Sequence, residues 1–372
     1  MVQKIPASGL ESAGGSFKNV IINGDMVISQ RATGTTTISG SAHNTLDRFA
    51  GLESTDGTAT LEQHSMSVAD QATTGQRYAA LWKCSGTDSS IGATQYAGLQ
   101  YFAEAQHCQH FLYGTSAAKD LTLSFWVKSN TTGTYSIGIY KPDNTGYYHP
   151  TTYAISSADT WEKKVIHISP TAGSTSLITS SGGAIANDNG LGIAFYFYTA
   201  LGSNYHTSSI NTWSTTADFG TSDQPNLMSS TSNNWYITGV QLEIGDTASD
   251  FEHIPIDIQL YRCQRYCQKY DFTAENGMAN IGRTLSSNRV DAWFQPKIEM
   301  RAPVDAISDN LTTVTIYRGD GTRHDSTTQT ATALVQASQG AFGVRKTYSD
   351  TIEGDNLVGV QMGGTLIATC EL

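Results

Sequence analysis

LTLSFWVKS, residues 121–129, alternates strictly: Leu121, Leu123, Phe125 and Val127 point one way, and Thr122, Ser124, Trp126 and Lys128 the other. Side chains of an extended backbone emerge on opposite faces with a period of two, so the segment reads as a strand with one face on a core. The same period recurs in TYSIGIYK through Tyr135, Ile137 and Ile139, and in GIAFYFY through Ile193, Phe195 and Phe197. GIAFYFY also carries Ala194, Tyr196 and Tyr198 on the opposite phase, which makes both of its faces apolar or aromatic. In NWYITGVQLEIG, Trp235 and Ile237 share one phase while Val240, Leu242 and Ile244 take the other. A bulge at Gly239 restores a single inward face.

Clusters of Gly, Asn, Asp and Ser separate these runs and Leu-rich helical periodicity is nearly absent, so the fold class is all-β. Upstream, NVIINGDMVISQ (19–30) reads as a strand, a turn at Asn23-Gly24 and a second strand. Downstream, IDIQLYRCQRYCQKY supplies the one helix, with Ile256, Leu260, Cys263 and Cys267 at helical spacing. Strands resume in AWFQPKIEMR, LTTVTIYR, GAFGVRK and LVGVQMGGTLIATCEL. At 372 residues the chain exceeds what one core usually serves. The expected organisation is an N-terminal arm at 1–16, a large β-sandwich domain at 17–253, a linking helix at 254–270 and a smaller C-terminal β-sandwich at 271–372.

Charged residues make up 15% of the chain and the net charge is −11, without the clustered Lys and Arg that track phosphates, which argues against a nucleic-acid partner. No basic segment followed by an apolar run opens the sequence, and no run of about 18 apolar residues occurs, so neither signal-directed export nor membrane insertion is expected. The five scattered cysteines, Cys84, Cys108, Cys263, Cys267 and Cys370, read as free thiols of a chain made in a reducing cytoplasm.

Catalytic motifs are missing: there is no G-x-S-x-G, H-E-x-x-H or P-loop, and SSGGAIANDNGLG (180–192) lacks the Lys that a phosphate loop needs. Cys263 and Cys267, with His107, Cys108 and His110, have no properly spaced fourth ligand group for zinc. Asp143, Asp159, Asp188 and Asp218 are the carboxylates that a glycosidase pair would draw on, yet no solenoid repeat of a depolymerase is visible, and a non-enzymatic chain is expected. Aromatic residues in polar stretches are more informative. NTGYYHPTTY (144–153) and ALGSNYHTSSINTW (200–213) carry Tyr147, Tyr148, His149, Tyr205, His206 and Trp213, the candidate carbohydrate-binding residues, because rings stack on the apolar faces of sugars. Packing under a loop or at a subunit interface is the alternative for the same rings. Trp161 is read as structural.

Several segments together resemble a widespread group of phage and prophage virion proteins, many of them tail-fibre or host-attachment proteins. NVIINGDMVISQRATG (19–34) and TLDRFAG (45–51) are similar to the group's opening, and LTLSFWVKSNTTGTYSI (121–137) and DTWEKKVIHI (159–168) to strands of carbohydrate-binding jelly rolls. The most specific segment is ITGVQLEIGDTASDFEHIPIDIQLYRCQRYCQKY (237–270), in which Cys267 stands where a second Tyr is usual. EMRAPVDAISDNL (299–311) and the final CEL (370–372) resemble the group's terminal domain. The resemblance implies a galactose-binding-like jelly roll, a virion location and a homotrimer. Its partners would be host surface glycans and, through the N-terminal arm, other virion proteins. A head decoration, collar or adaptor protein is the alternative role. Related jelly rolls often hold a structural Ca²⁺ near their terminal strands, where Asp25, Glu243 and Glu252 are the carboxylates available here. No other cofactor is implied.

Overall fold

Leu121–Ser129 is a strand in the computed structural model, and Leu121, Leu123, Phe125 and Val127 are fully buried. The structure describes residues 18–272, 278–286, 288–311, 313–318, 323–326, 329–348 and 357–372; the expected arm at 1–16 lies outside them. Two antiparallel six-stranded sheets face each other as a jelly-roll sandwich. One runs from edge to edge as Thr36–Thr37 (β1), Thr58–Ser65 (β4), Tyr78–Gly86 (β5), Asn234–Ile244 (β12), Leu121–Ser129 (β7) and Glu162–Ile168 (β10). The other runs as Gly40–Ala42 (β2), Phe49–Glu53 (β3), Tyr96–Glu104 (β6), Leu191–Leu201 (β11), Gly133–Lys141 (β8) and Tyr147–Ile155 (β9).

The alternating positions fill the space between the sheets. Phe125 of β7 meets Phe197 of β11 and Tyr153 of β9 edge-on, with ring centroids 5.5 and 5.1 Å apart. The register of β12 against β7 slips between Thr238 and Gln241, at Gly239 (φ 60°), and Trp235, Ile237, Val240 and Leu242 are all fully buried. Ile244, expected to share that face, is exposed at the strand's end.

The segment 19–30 forms no strands, contrary to expectation. Asparagine amides stand in for ladder partners. Asn19 Oδ1 accepts from the Ile21 and Leu242 N–H groups at 2.9 and 3.0 Å, and its Nδ2 donates to the Val240 carbonyl at 3.1 Å. Asn23 grips Ile28 through both its N–H and C=O at 2.8 Å and also donates to Asp47 O at 2.9 Å. The result is a turn over residues 22–25, pinned beneath the sandwich by the buried Val20, Ile21, Ile22, Met26 and Ile28.

The linking helix, α2 (after α1, Val68–Thr74), covers Ile256–Gln264 rather than 254–270. It stops because Cys267–Asp271 (β13) is claimed as a strand by Thr365–Thr369 (β22), and because Gln268 Nε2 donates back to the Gln264 carbonyl at 3.0 Å. Beyond it, the three-stranded sheet of β13, β22 and Ala306–Asp309 (β16) shares a core with a seven-stranded sheet. The latter's order is Arg323–Ser326, Thr313–Arg318, Leu357–Gly363, Met278–Ser286, Arg289–Phe294, Phe342–Tyr348 and Gln329–Ala337. Phe294, Phe342, Val344, Val360, Leu366 and Ala368 fill this second core.

A buried ionic joint ties the two domains together. The Glu371 carboxylate receives Arg31 Nη2 at 2.9 Å and Arg48 Nη1, and the three side chains are 8%, 1% and 11% exposed in the order Arg31, Arg48, Glu371. Arg48 lies over the Tyr266 ring at 3.5 Å. Glu104, fully buried, takes a two-pronged contact from Arg265 at 3.0 and 2.6 Å and the Tyr266 hydroxyl at 2.5 Å. Gln30 bridges Asp47 and the Cys267 carbonyl, and Arg301 reaches Cys370 O, Glu371 O and, across the joint, Asn189 O. QR (30–31), DR (47–48), RY (265–266) and Glu371 therefore converge on one place.

Candidate functional site

The outer face of the sheet containing β11 carries an aromatic band. Tyr196 and Tyr198 project from β11, Phe102 from β6, Tyr140 from β8 and Tyr148 from β9, following the outward phase of each strand. Tyr140 and Tyr148 stack at 4.7 Å with planes 17° apart; Phe102 meets Tyr196 edge-on at 5.9 Å. Phe219, delivered by the long loop after β11, packs on Tyr148, Tyr196, Tyr198 and Tyr205 at 5.3 to 6.3 Å. It sits over Gly138, where an added Cβ would come within 2.6 Å of its ring.

In register, Ala194 lies between Phe102 and Tyr140 on the neighbouring strands. Strands are about 4.8 Å apart, so these two rings flank a small-residue floor across roughly 10 Å. Phe102, Tyr140, Tyr148 and Tyr196 are half-buried: their bodies are fixed by neighbours, and part of each remains accessible. Burial and the surrounding phenols push the Tyr196 hydroxyl up to about 12, and burial and Tyr148 push Tyr140 up as well. Both remain neutral hydrogen-bonding groups at physiological pH. Rigid rings with phenolic tips present apolar area and directional hydrogen bonds side by side.

The six residues singled out from the sequence divide. Tyr147, His149 and Trp213 point into the sandwich and are 6%, 0% and 2% exposed, which removes them from any binding surface. NTGYYHPTTY is not a loop but largely β9, whose phase turns Tyr147 and His149 inward; Trp213 Nε1 donates to Ser169 O at 2.9 Å and its ring covers His149 at 4.9 Å. Tyr205 donates to Thr94 O at 3.3 Å, and His206 Nε2 lies 3.1 Å from Leu201 O, so both hold the loop that carries Phe219. Tyr148 alone of the six belongs to the half-open row. Sequence reasoning missed Phe102, Tyr140, Tyr196 and Phe219, although the outward aromatic phase of GIAFYFY pointed to Tyr196.

The carboxylates considered for calcium are taken up by donors. Glu252 accepts the Lys18 and Asn19 N–H groups at 3.2 and 2.8 Å, Glu243 accepts Gln241 Nε2 and Ser249 N at 2.9 Å, and Asp25 accepts Gln259 Nε2 at 2.5 Å. Lys18 Nζ bonds Ser249 Oγ and Asp250 O at 2.6 and 2.7 Å, placing an ammonium in their midst. Among the described residues no group of three His, Cys, Asp or Glu side chains is arranged to hold a metal, and the five cysteines are free and buried. No helix among them is long and apolar enough to cross a membrane. Trp161, read as structural, is buried on the outer face of the β7 sheet, with Trp126, Tyr236 and the Lys128 ammonium.

No protein-family model and no curated protein matches the chain. Solved structures give remote likenesses. A family 11 carbohydrate-binding module from Clostridium thermocellum in complex with a β-1,3-1,4-mixed-linked tetrasaccharide is 11% identical, with TM-score 0.26, over 60% of this chain and 99% of that one. A tandem of family 22 modules from Paenibacillus barcinonensis Xyn10C is 8% identical, with TM-score 0.26, over 95% and 100%. The enzymatically active domain of bacteriophage CBA120 tailspike protein 4 is 10% identical, with TM-score 0.29; the match covers 61% of this chain and only 22% of that one. The jelly roll itself is read from the strand order above.

Proposed function

We propose that the chain is a non-enzymatic structural protein of a bacteriophage particle, a tail-fibre or receptor-binding component that attaches to host surface glycans through the aromatic outer face of the β11 sheet. The observation that carries the glycan reading is the half-open row of Phe102, Tyr140, Tyr148 and Tyr196, held rigid and tipped with neutral phenols. The virion reading rests on the resemblance of the segments at 19–34, 45–51, 237–270 and 370–372. In this reading the protein works as a homotrimer, docked to other virion proteins through residues 1–16, and many weak glycan contacts combine by avidity, raising apparent affinity by about 10²–10⁴.

The test is binding of the labelled, purified protein to cells of the bacterial host, after light scattering has fixed its oligomeric state. Saturable binding that disappears when surface polysaccharide is stripped is expected, as is a loss of about tenfold or more in affinity in Tyr140→Ala and Tyr196→Ala at nearly unchanged thermal stability. A well-folded oligomer that ignores cells would favour the second reading, a head decoration, collar or adaptor protein contacting only other virion proteins. One observation speaks for that reading: the segments that resemble virion proteins build the domain joint, and the neighbouring helix exposes Ile256 and Tyr261.

A further inference from the structure

The opposite sheet bears a separate cleft of about 270 Å³ on its outer face. Trp126 of β7 forms one wall, Phe251 and its edge-on neighbour His253 another, and Gly239, the bulged residue of β12, lies against Trp126 and Gln76. A side chain at 239 would narrow the cleft, since an added Cβ stands 3.3 Å from Trp126 Cδ1 and 3.5 Å from Gln76 Nε2. The bulge thus serves two ends: it corrects the strand's inward phase and leaves room outside.

Gln76 is the second observation. Only 3% of the residue is exposed, its side-chain amide makes no hydrogen bond to any described residue, and the polar atoms of that amide keep contact with solvent in the cleft they line. An amide that faces the cleft with no protein partner can bond a polar occupant in place of water. Lys163 and Asp250 stand at the same cleft with no ion-pair partner among the described residues. One positive and one negative charge cancel, which disfavours a net-charged ligand and suits one rich in hydroxyls.

We infer that this cleft is a second carbohydrate site, sized for a single neutral pyranose, with the ring stacked on Trp126 and its hydroxyls bonded to the Gln76 amide, Lys163 and Asp250. It is physically separate from the aromatic band across the sandwich and does not depend on it. Whereas the band is an open surface suited to an extended chain, the cleft would take a terminal or branching unit.

Ligand-observed saturation-transfer NMR with glucose, galactose and mannose tests the inference on the full chain, with tryptophan fluorescence as a second readout. Millimolar binding of at least one hexose is expected, weakened about tenfold or more by Trp126→Ala and, independently, by Gln76→Leu, which keeps the volume and removes the amide. Tyr196→Ala should leave this signal intact while impairing attachment through the other face, so the two sites fail separately. Absence of transfer from all three hexoses to the folded protein overturns the inference. So does a signal that survives both cleft variants, or one seen only with glucuronate.

Discussion

Glu371 shows how much one side chain can hold. Burial pushes its carboxyl up, but the charges of His43, Arg48 and Arg31 outweigh burial and hold it at about 2. Removing one member of a buried ionic group strands the others without compensation, which costs about 3–5 kcal/mol. Glu371→Gln keeps the shape and deletes the charge, so chemical denaturation should find it destabilised by that amount, and a loss under about 1 kcal/mol would mean that solvent already screens the arginines. The same scale explains why half of the candidate site was illegible. Pro150, Gly146 and Asn144 give residues 144–153 the composition of a loop, whereas the structure makes Tyr147–Ile155 the edge strand of its sheet. An edge strand tolerates proline because one side of its backbone has no ladder to complete. Once the segment is extended, strict alternation sends Tyr147 and His149 inward and Tyr148 outward.

At the scale of elements, alternation was a reliable guide wherever both sheets pack on it. The phases of β7, β8 and β11 and the bulge in β12 could all be read directly, because a misplaced phase would bury polar groups along a whole strand. Residues 19–30 could not, since their shape is set by Asn19 and Asn23 bonding to partners up to 223 residues away, and local pattern does not encode that. The helix boundary failed similarly: β22 decides where α2 ends. Two measurements test the packing. Phe125→Ala should cost about 3–5 kcal/mol in denaturant unfolding, as for a large ring deleted from a closed core. Gly138→Ala should unseat Phe219 and raise hydrogen exchange through the loop at residues 203–222 while leaving β7 protected; unchanged exchange in that loop would show that the ring has room to shift.

For the whole molecule, the joint makes domain association sensitive to acid. Burial, followed by the neighbouring arginines, lowers the His43 imidazole to about 4, so the folded state keeps it neutral while the unfolded chain protonates it near 6.5. A group whose pKa is lowered on folding contributes fully above its unfolded value and loses that contribution as pH falls. His43 therefore weakens the fold between about 6.5 and 4, and Glu371 does so between 4.5 and about 2, each by at most roughly 3 kcal/mol. Thermal scans should show a melting temperature that is flat above pH 6.5 and declines in these two stages; the buried His149, which burial also lowers to about 4, acts in the upper window too, so His43→Gln should shrink the upper stage and His43→Gln with His149→Gln should shrink it further, whereas an upper stage unchanged in His43→Gln would assign it to other groups.

The joint also orders events in time. Arg31 and Arg48 find their carboxylate 340 and 323 residues further along the chain. While the polypeptide is being synthesised, the jelly roll must collapse around Arg48 before its carboxylate partner has been made, and around Arg31 with Asp47, 3.6 Å away, as its sole carboxylate among the described residues of that domain. Contacts so distant in sequence close slowly, since the loop entropy is lost before the contact repays it. The first domain therefore folds with this electrostatic latch incomplete, and the arrival of Glu371 is the step that locks the two domains.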